Sequence, residues 1–551
     1  MLRYISFSGI LLFISVAAIA QTAANNNPKL IAAVDSIMKK EFKANEPGAS
    51  IIVVKKGQEI YKKGFGMADM ELNVPVNADM NFRIGSITKQ FTAVCILQLA
   101  EQGKLSLQDD IKKYIPDYSI KEHITIEHLL THTSGIKSYT NVDSFWKSMR
   151  TDMVPRSIIA LTEKDTLEFK PGTKWNYNNT GYVMLGYIIE KVSGKSYEEY
   201  VQQNIFTPLG MNNSYYGSES RVIKNRAKGY KNNGKDFLNS DYISMTLPYA
   251  AGSLLSTVED LWKWNKALYS YKLIKKEWVD KAITPYTLSD GKPTTYGYGL
   301  GIAKVQGSKS IEHGGGIPGF LTMGMYLPAE EIFVAVFSNC DCKSPDAVAT
   351  KIAAIALGKP YNYKALSLTE TDAKQYEGVY ASENGEERVI RWDKDKLTSQ
   401  RGGGNKFTIR MNEKDKFFFD ESFSFIEFKR NSSGTVDALK FTNREDESMW
   451  KKTTKPLPAD LTFIKVDAVI LAEYVGAYQL APNFILNVML EDGKLFGQAT
   501  GQPKIEMQPL STIRFKAKDV EAQVEFKKDA SGKTVSLVLY QNGQEVPGKK
   551  Q

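Results

Sequence analysis

The sequence predicts an α/β (α+β) domain, one antiparallel sheet covered by helices, followed by two small all-β domains. Strand signals lie at both ends of the first 357 residues with helix signals between them, which suits helices packed on a single sheet. Beyond that point alternating strands and turn clusters replace the helices. The last third also repeats itself at one fixed spacing of 98 residues. Tyr376-Glu377-Gly378-Val379-Tyr380 matches Tyr474-Val475-Gly476-Ala477-Tyr478, Lys396-Leu397 matches Lys494-Leu495, and Glu427-Phe428-Lys429 matches Glu525-Phe526-Lys527, with Gly434 against Gly532. Chance rarely gives such coherence.

Taken in order, the chain opens with a secretory signal over residues 1–20. Arg3 supplies the charge, Ile10 to Val16 the apolar core, and Ala18-Ile19-Ala20 a small-x-small cleavage site before Gln21. The apolar run is too short to span a bilayer, and no other stretch approaches the ~18 residues required. No cysteine follows the cleavage site to carry a lipid. The expectation is an exported protein, periplasmic or extracellular, with no membrane span.

Residues 21–362 form the expected α/β domain. Leu30 to Phe42 reads as an amphipathic helix, and Ala49 to Phe65 as a hairpin turning at Lys56-Gly57-Gln58. Helices are expected at Ile126 to Leu130 and Gly181 to Val192. Strands return at Phe320 to Leu327 and Ile332 to Ser338, joined by Pro328-Ala329-Glu330-Glu331, and a helix from Asp346 to Leu357 closes the unit. The β repeats span 363–458 and 459–551, joined near Lys455-Pro456-Leu457-Pro458. Alternation in Ser422 to Phe425 and again in Ile426 to Lys429 slips phase at Phe425-Ile426, which points to a bulge there. The repeats read as structural or docking modules rather than ligand-binding barrels.

Composition narrows the function classes. The chain is 42% hydrophobic and 24% charged, as in ordinary globular proteins. Its net charge of +9 comes from interspersed lysines and acids, so no nucleic-acid footprint is visible. Three cysteines give no disulfide framework. Cys95 reads as a small core residue, and pairing of Cys340 with Cys342 is the disfavoured outcome because the ring would be strained.

Ser86-Ile87-Thr88-Lys89 is the first candidate for chemistry. The Ser-x-x-Lys spacing recurs at Ser36/Lys39, Ser134/Lys137, Ser144/Lys147, Ser289/Lys292 and Ser448/Lys451, so context has to separate them. The stretch after Ser86 is apolar on nearly every face up to Gly103, the pattern of a fully buried helix. Lys89 lies one turn from Ser86 on the same face, and a serine hydroxyl needs such a base to become a nucleophile. Tyr177-Asn178-Asn179 and His313-Gly314-Gly315-Gly316 follow in chain order. Each alone is an ordinary turn or strand end; the three together can build an acyl-enzyme.

Four stretches carry a family resemblance: Phe82 to Lys89, Leu129 to Gly135 (Leu-Leu-Thr-His-Thr-Ser-Gly), Pro171 to Tyr182, and His313 to Phe320. From about Asn27 to Leu357 the chain resembles the serine β-lactamase and penicillin-binding-protein superfamily, in its class C-like branch of D-alanyl-D-alanine carboxypeptidases, D-aminopeptidases and carboxylesterases. The β repeats resemble the lipocalin-like accessory domains of that branch. The resemblance implies Ser86 as nucleophile, Lys89 as its base, and Tyr177 as a second base serving acylation and the deacylating water. Asn179 would position Lys89 and the substrate. The backbone N–H groups of Ser86 and Gly316 would form the oxyanion hole, with Gly314 and Gly315 letting the strand end come close. A second cation beside Lys89 would depress the pKa values of both Lys89 and Tyr177. Lactam-hydrolysing relatives commonly have Lys-Thr-Gly where this chain has His313-Gly314-Gly315. That weakens a carboxylate clamp and favours esters or D-amino-acid substrates, although a histidine there could still carry charge.

Three histidines, His123, His128 and His132, suggest a metal by spacing, but no ligand set is completed around them beyond Glu122 and Glu127. A Gly-x-Ser-x-Gly elbow, a phosphate loop and a dinucleotide fingerprint are all missing from the sequence, so neither metal nor cofactor is expected. The expected function is an exported serine hydrolase of small esters, D-amino-acid peptides or amides, or β-lactams. Its partners are small-molecule or peptide substrates, cell-wall fragments among them, and the C-terminal β-domains could mediate oligomerisation. The rival is a non-turnover penicillin-binding or peptidoglycan-sensing protein with the repeats as scaffold. A stable stoichiometric adduct without turnover would distinguish that rival.

Overall fold

In the computed structural model the described residues are 27–551, apart from 403, 421, 460–462, 482–483, 501, 503, 519, 521 and 542–543. The secretory segment expected at 1–20 lies outside them. Helix α1 (Pro28–Glu41) starts on an Asn27 cap and buries Leu30, Val34 and Met38 at i, i+4 spacing. Strands β1 (Ala49–Lys55) and β2 (Gln58–Phe65) form the hairpin. Helices α2 (Thr88–Glu101), α3 (Ile126–Leu130), α4 (Asn179–Ser193) and α5 (Val258–Tyr269) follow. Strands β3 (Gly301–Val305), β4 (Ser308–Ile317), β5 (Phe320–Leu327) and β6 (Ile332–Ser338) precede helix α6 (Asp346–Leu357).

The six strands make one antiparallel sheet in the order β3-β4-β5-β6-β1-β2. Alternate residues of its central strands serve two different cores. Ile52, Val54, Phe333, Ala335 and Phe337 pack with α2 and α4, while Ile51, Val53, Val334 and Val336 pack with α1 and α6. Helices on both faces explain why β6 is apolar nearly throughout and buried along its whole length. Helix α2 is buried from Thr88 to Leu99; Phe91 stacks on Trp264 of α5 at 4.1 Å between ring centroids.

Each β repeat closes into an eight-stranded barrel. The first comprises β7 (Gly378–Ser382), β8 (Glu387–Asp393), β9 (Lys396–Arg401), β10 (Lys406–Glu413), β11 (Lys416–Phe419), β12 (Phe425–Arg430), β13 (Val436–Thr442) and β14 (Glu447–Lys452). The second runs from Gly476 to Lys550. The repeat extends to single bonds. Tyr380 donates to the Tyr376 carbonyl at 2.7 Å, and Tyr478 to the Tyr474 carbonyl at 2.7 Å.

Two sequence expectations are corrected. The bulge is not at Phe425-Ile426. Pairing runs unbroken through that point and shifts at Lys429/Arg430, with the same shift 98 residues later at Lys527/Lys528. Ser422 to Ser424 precede the strand, so the alternation seen there belongs to a turn. Cys340 and Cys342 are paired, with Cα atoms 5.1 Å apart. The chain turns directly after β6 and brings the second thiol back to the first, within the usual Cα separation for a disulfide.

The first barrel docks on the β3–β4 hairpin through its β13–β14 turn. Arg444 pairs with Glu312 of β4 at 2.5 Å, both side chains largely buried, and exchanges backbone-side hydrogen bonds with Lys304. Among the described residues no helix is long and apolar enough to cross a membrane.

Candidate active site

Ser86 lies in a single 3-10 turn, Gly85–Ile87, that leads into α2. Lys89 falls on the first turn of α2 with its side chain fully buried. Its Nζ contacts three oxygens: Ser86 Oγ at 3.1 Å, Asn179 Oδ1 at 2.8 Å and the Ala251 carbonyl at 2.8 Å. The two carbonyl oxygens can only accept, so they take two N–H bonds. The remaining position on nitrogen faces Ser86. Burial holds the Lys89 pKa well below the ordinary lysine range, a shift that favours the neutral amine, and in that form the third position would be a lone pair toward the serine hydroxyl.

Asn178 caps α4 by accepting the Gly181 N–H at 2.8 Å. That cap sets Asn179 at the start of the helix, where its Nδ2 donates to Thr140 Oγ1 at 3.2 Å and its oxygen is turned to Lys89. Tyr177 precedes the cap, and its ring centroid is 4.8 Å from Lys89 Nζ. Burial pushes the Tyr177 phenol above its ordinary pKa, a shift that hydrogen bonding with the Ser86 side chain opposes. The expected depression of Tyr177 is therefore reversed. The two histidines packed near the Tyr177 ring do not supply a second cation. His132 and His313 are both lowered, first by burial and then by Lys89, His313 to about 3.

The four residues from His313 to Gly316 lie on β4 past Glu312, where pairing with β3 ends. His313 is 7% exposed, and both ring nitrogens are engaged: Nε2 with the Tyr296 hydroxyl at 2.7 Å and Nδ1 with the Gly314 carbonyl at 2.5 Å. A histidine in this state carries no charge to a substrate carboxylate. Gly315 is required by space, since a Cβ there would lie 2.0 Å from the Ile84 carbonyl oxygen. Gly85, at φ +50°, would place a Cβ 2.8 Å from Gly316 N. The β4 end and the Ser86 turn are thus in backbone contact, with the Gly316 amide beside that turn. A Cβ on Gly314 would meet nothing closer than 3.6 Å.

A cavity of about 90 Å³ opens onto these groups. Ser86, Asn179 and Gly316 border it on one side, and Phe145, Trp146 and Ile243 supply apolar walls.

Two further participants escaped sequence reasoning as site residues. Tyr296 buttresses His313, and His132 packs against Tyr177 with ring centroids 4.4 Å apart while accepting the Asn178 N–H at 3.1 Å. The sequence carried a signal for Tyr296 in the run Tyr296-Gly297-Tyr298-Gly299. Gly299 at φ +69° would place a Cβ 2.7 Å from the Lys89 carbonyl oxygen, so that run fits tightly against the first turn of α2. The other histidines have local tasks. His123 pairs with Asp110 at 2.8 Å, and His128 completes the N-terminal capping box of α3.

A family model described as Beta-lactamase matches residues 30–358, and one described as a domain of unknown function (DUF3471) matches residues 464–550. PbpX of Bacillus subtilis (strain 168), a penicillin-binding protein by name, is 31% identical over 323 residues, 58% of this chain and 78% of its own. The octameric penicillin-binding protein homologue from Pyrococcus abyssi shares 31% identity at a TM-score of 0.54, over 77% of this chain and 99% of that one. A D-stereospecific amidohydrolase from Streptomyces sp. shares 26% identity at a TM-score of 0.52, over 58% of this chain and 97% of that one.

Proposed function

Since the chain belongs to the beta-lactamase family, we propose that it is a serine hydrolase that forms an acyl-enzyme on Ser86. The observation that carries this reading is the Lys89 amine, bound twice to carbonyl oxygens with its remaining position on Ser86 Oγ. Lys89 takes the Ser86 proton as the oxygen attacks the substrate carbonyl. The resulting oxyanion is held by the N–H groups of Ser86 and Gly316, each such donor being worth about 3–4 kcal/mol. Tyr177 remains a phenol at neutral pH. It relays the proton from Lys89 to the leaving group; in deacylation it relays one from the attacking water to Lys89, which returns it to Ser86 as the acyl group departs. Asn179 fixes the Lys89 amine, and His313 acts by supporting the β4 end rather than by binding a carboxylate.

The substrates proposed are small neutral esters and D-amino-acid amides. The cavity walls are apolar, His313 is uncharged, and the amidohydrolase relative is D-stereospecific by name. The secretory segment would deliver the enzyme outside the cytoplasm. Initial rates on p-nitrophenyl butyrate, D-phenylalanine amide, nitrocefin and a D-Ala-D-Ala peptide test the preference. The two substrates without a carboxylate should exceed the two carboxylates in kcat/KM by about tenfold or more, the scale of one lost charge-assisted contact. A reversed order would return the carboxylate clamp to the site.

The proton assignments give a pH dependence of defined sign. Lys89 is lowered, so its base form is present above that lowered value, and kcat/KM should rise along one acid limb and then level. Tyr177 is raised, so its phenol persists through the ordinary tyrosine range and adds no alkaline loss near pH 10. Tyr177→Phe should slow turnover at least as much as Asn179→Ala. An alkaline limb that disappears in Tyr177→Phe would instead make the phenolate the working form.

A further inference from the structure

Arg388 is inside the first barrel, 4% exposed, the second residue of β8 and thus near one end of the barrel. Its guanidinium lies over the rings of Phe441 and Trp450, at 4.2 and 4.9 Å from their centroids. Nη1 donates to the buried Ser399 Oγ at 2.9 Å, whereas Nε is buried with no acceptor. Among the described residues no carboxylate pairs with it. Glu386 is engaged by Arg401, and Arg401 sets a second positive charge nearby. Glu386 still acts on Arg388 from a distance, but a buried cation without a directly paired counter-charge is costly to a fold, and removing the charge altogether is often tolerated or stabilising.

The second barrel shows that the fold does not require it. At the same repeat spacing, Leu486, Gly497, Leu539 and Gly548 stand where the first barrel has Arg388, Ser399, Phe441 and Trp450. There Leu480, Leu486 and Leu539 pack with the barrel core, Leu480 reaching the position that faces Gly548. The first barrel instead carries a line of aromatic rings out from the arginine. Phe441 meets Phe419 at 5.9 Å and Phe419 meets Phe407 at 6.4 Å, and Phe407 is 42% exposed at the rim.

We propose that the first barrel binds an organic monocarboxylate with an apolar body, its carboxylate on the free Nε edge of Arg388 and its body along Phe441, Phe419 and Phe407. Charge-assisted bonds from a guanidinium to a carboxylate are short and strong, and planar geometry favours two at once. The ligand supplies the directly paired counter-charge that Arg388 lacks among the described residues. This site is separate from Ser86 and does not depend on the hydrolase reading; it gives the first repeat a role beyond docking.

The test is calorimetric titration of the full chain with dodecanoate below its micellar concentration. One saturable site is expected, weakened at least about tenfold in Arg388→Leu, the residue the second barrel carries; that factor is the low end for losing a charge-assisted pair. Dodecan-1-ol should bind both proteins alike and more weakly than dodecanoate binds the wild type. In thermal unfolding Arg388→Leu alone should be at least as stable as the wild type, and dodecanoate should raise the midpoint of the wild type only. Equal dodecanoate affinity in the two proteins would overturn the proposal, as would binding of dodecyl phosphate with none of dodecanoate. Early unfolding of Arg388→Leu together with a wild type unresponsive to dodecanoate would assign the arginine to packing and overturn it too.

Discussion

Lys89→Met is expected to lower kcat/KM on a neutral ester by about 10³-fold, the middle of the range for loss of a positioned general base, while the protein stays folded. Methionine nearly keeps the volume and removes an amine whose two hydrogen bonds go to Asn179 and Ala251. A buried lysine with no carboxylate partner contributes little stability through its charge, so thermal unfolding should change far less than turnover. Rate and stability measured on the same preparation separate the base from a packing residue. If turnover stays within a few-fold of wild type, another group removes the Ser86 proton.

Gly315→Ala is expected to cost about 10²-fold in kcat, with Gly314→Ala close to wild type. The added methyl at 315 would lie 2.0 Å from the Ile84 carbonyl oxygen and 2.3 Å from Thr322 Oγ1. Neither neighbour can yield easily, because Thr322 Oγ1 donates to that same carbonyl at 2.9 Å across the sheet. The β4 end must therefore move away from the Ser86 turn and carry the Gly316 amide with it. A displacement of about 1 Å in a reacting geometry is enough for a loss of this size. At 314 the methyl meets no atom closer than 3.6 Å. Equal effects of the two substitutions, read as kcat and KM on p-nitrophenyl butyrate, would contradict the assigned approach of strand and turn.

The sheet, the helices flanking it and the duplicated barrels were legible because each rests on a periodic pattern. Around Ser86, Lys89 is legible because it stands one helical turn away, and Tyr177 and Asn179 are legible only through the motif that carries the family resemblance; the Asn178 cap that sets them is seen in the structure. What the sequence hid depends on burial. The state of Tyr177 follows from its burial, and burial likewise lowers His132 and His313, so neither histidine offsets it with a charge. Tyr296 reaches His313 only once the segment before β3 folds back on β4, a proximity no local spacing encodes. The bulge was misplaced because a turn at Ser422 to Ser424 happens to alternate like a strand. Arg388 is hidden because it too depends on burial: an arginine between Glu387 and Val389 reads as surface until the barrel closes around it.

The most direct test of the account is intact-mass and peptide-mapping mass spectrometry of the full chain, quenched in acid during turnover of p-nitrophenyl butyrate. The account predicts one butyryl group on the peptide carrying Ser86, decaying as substrate is exhausted, and neither adduct nor turnover in Ser86→Ala. An acyl group on a different side chain, or undiminished turnover by Ser86→Ala, would contradict it.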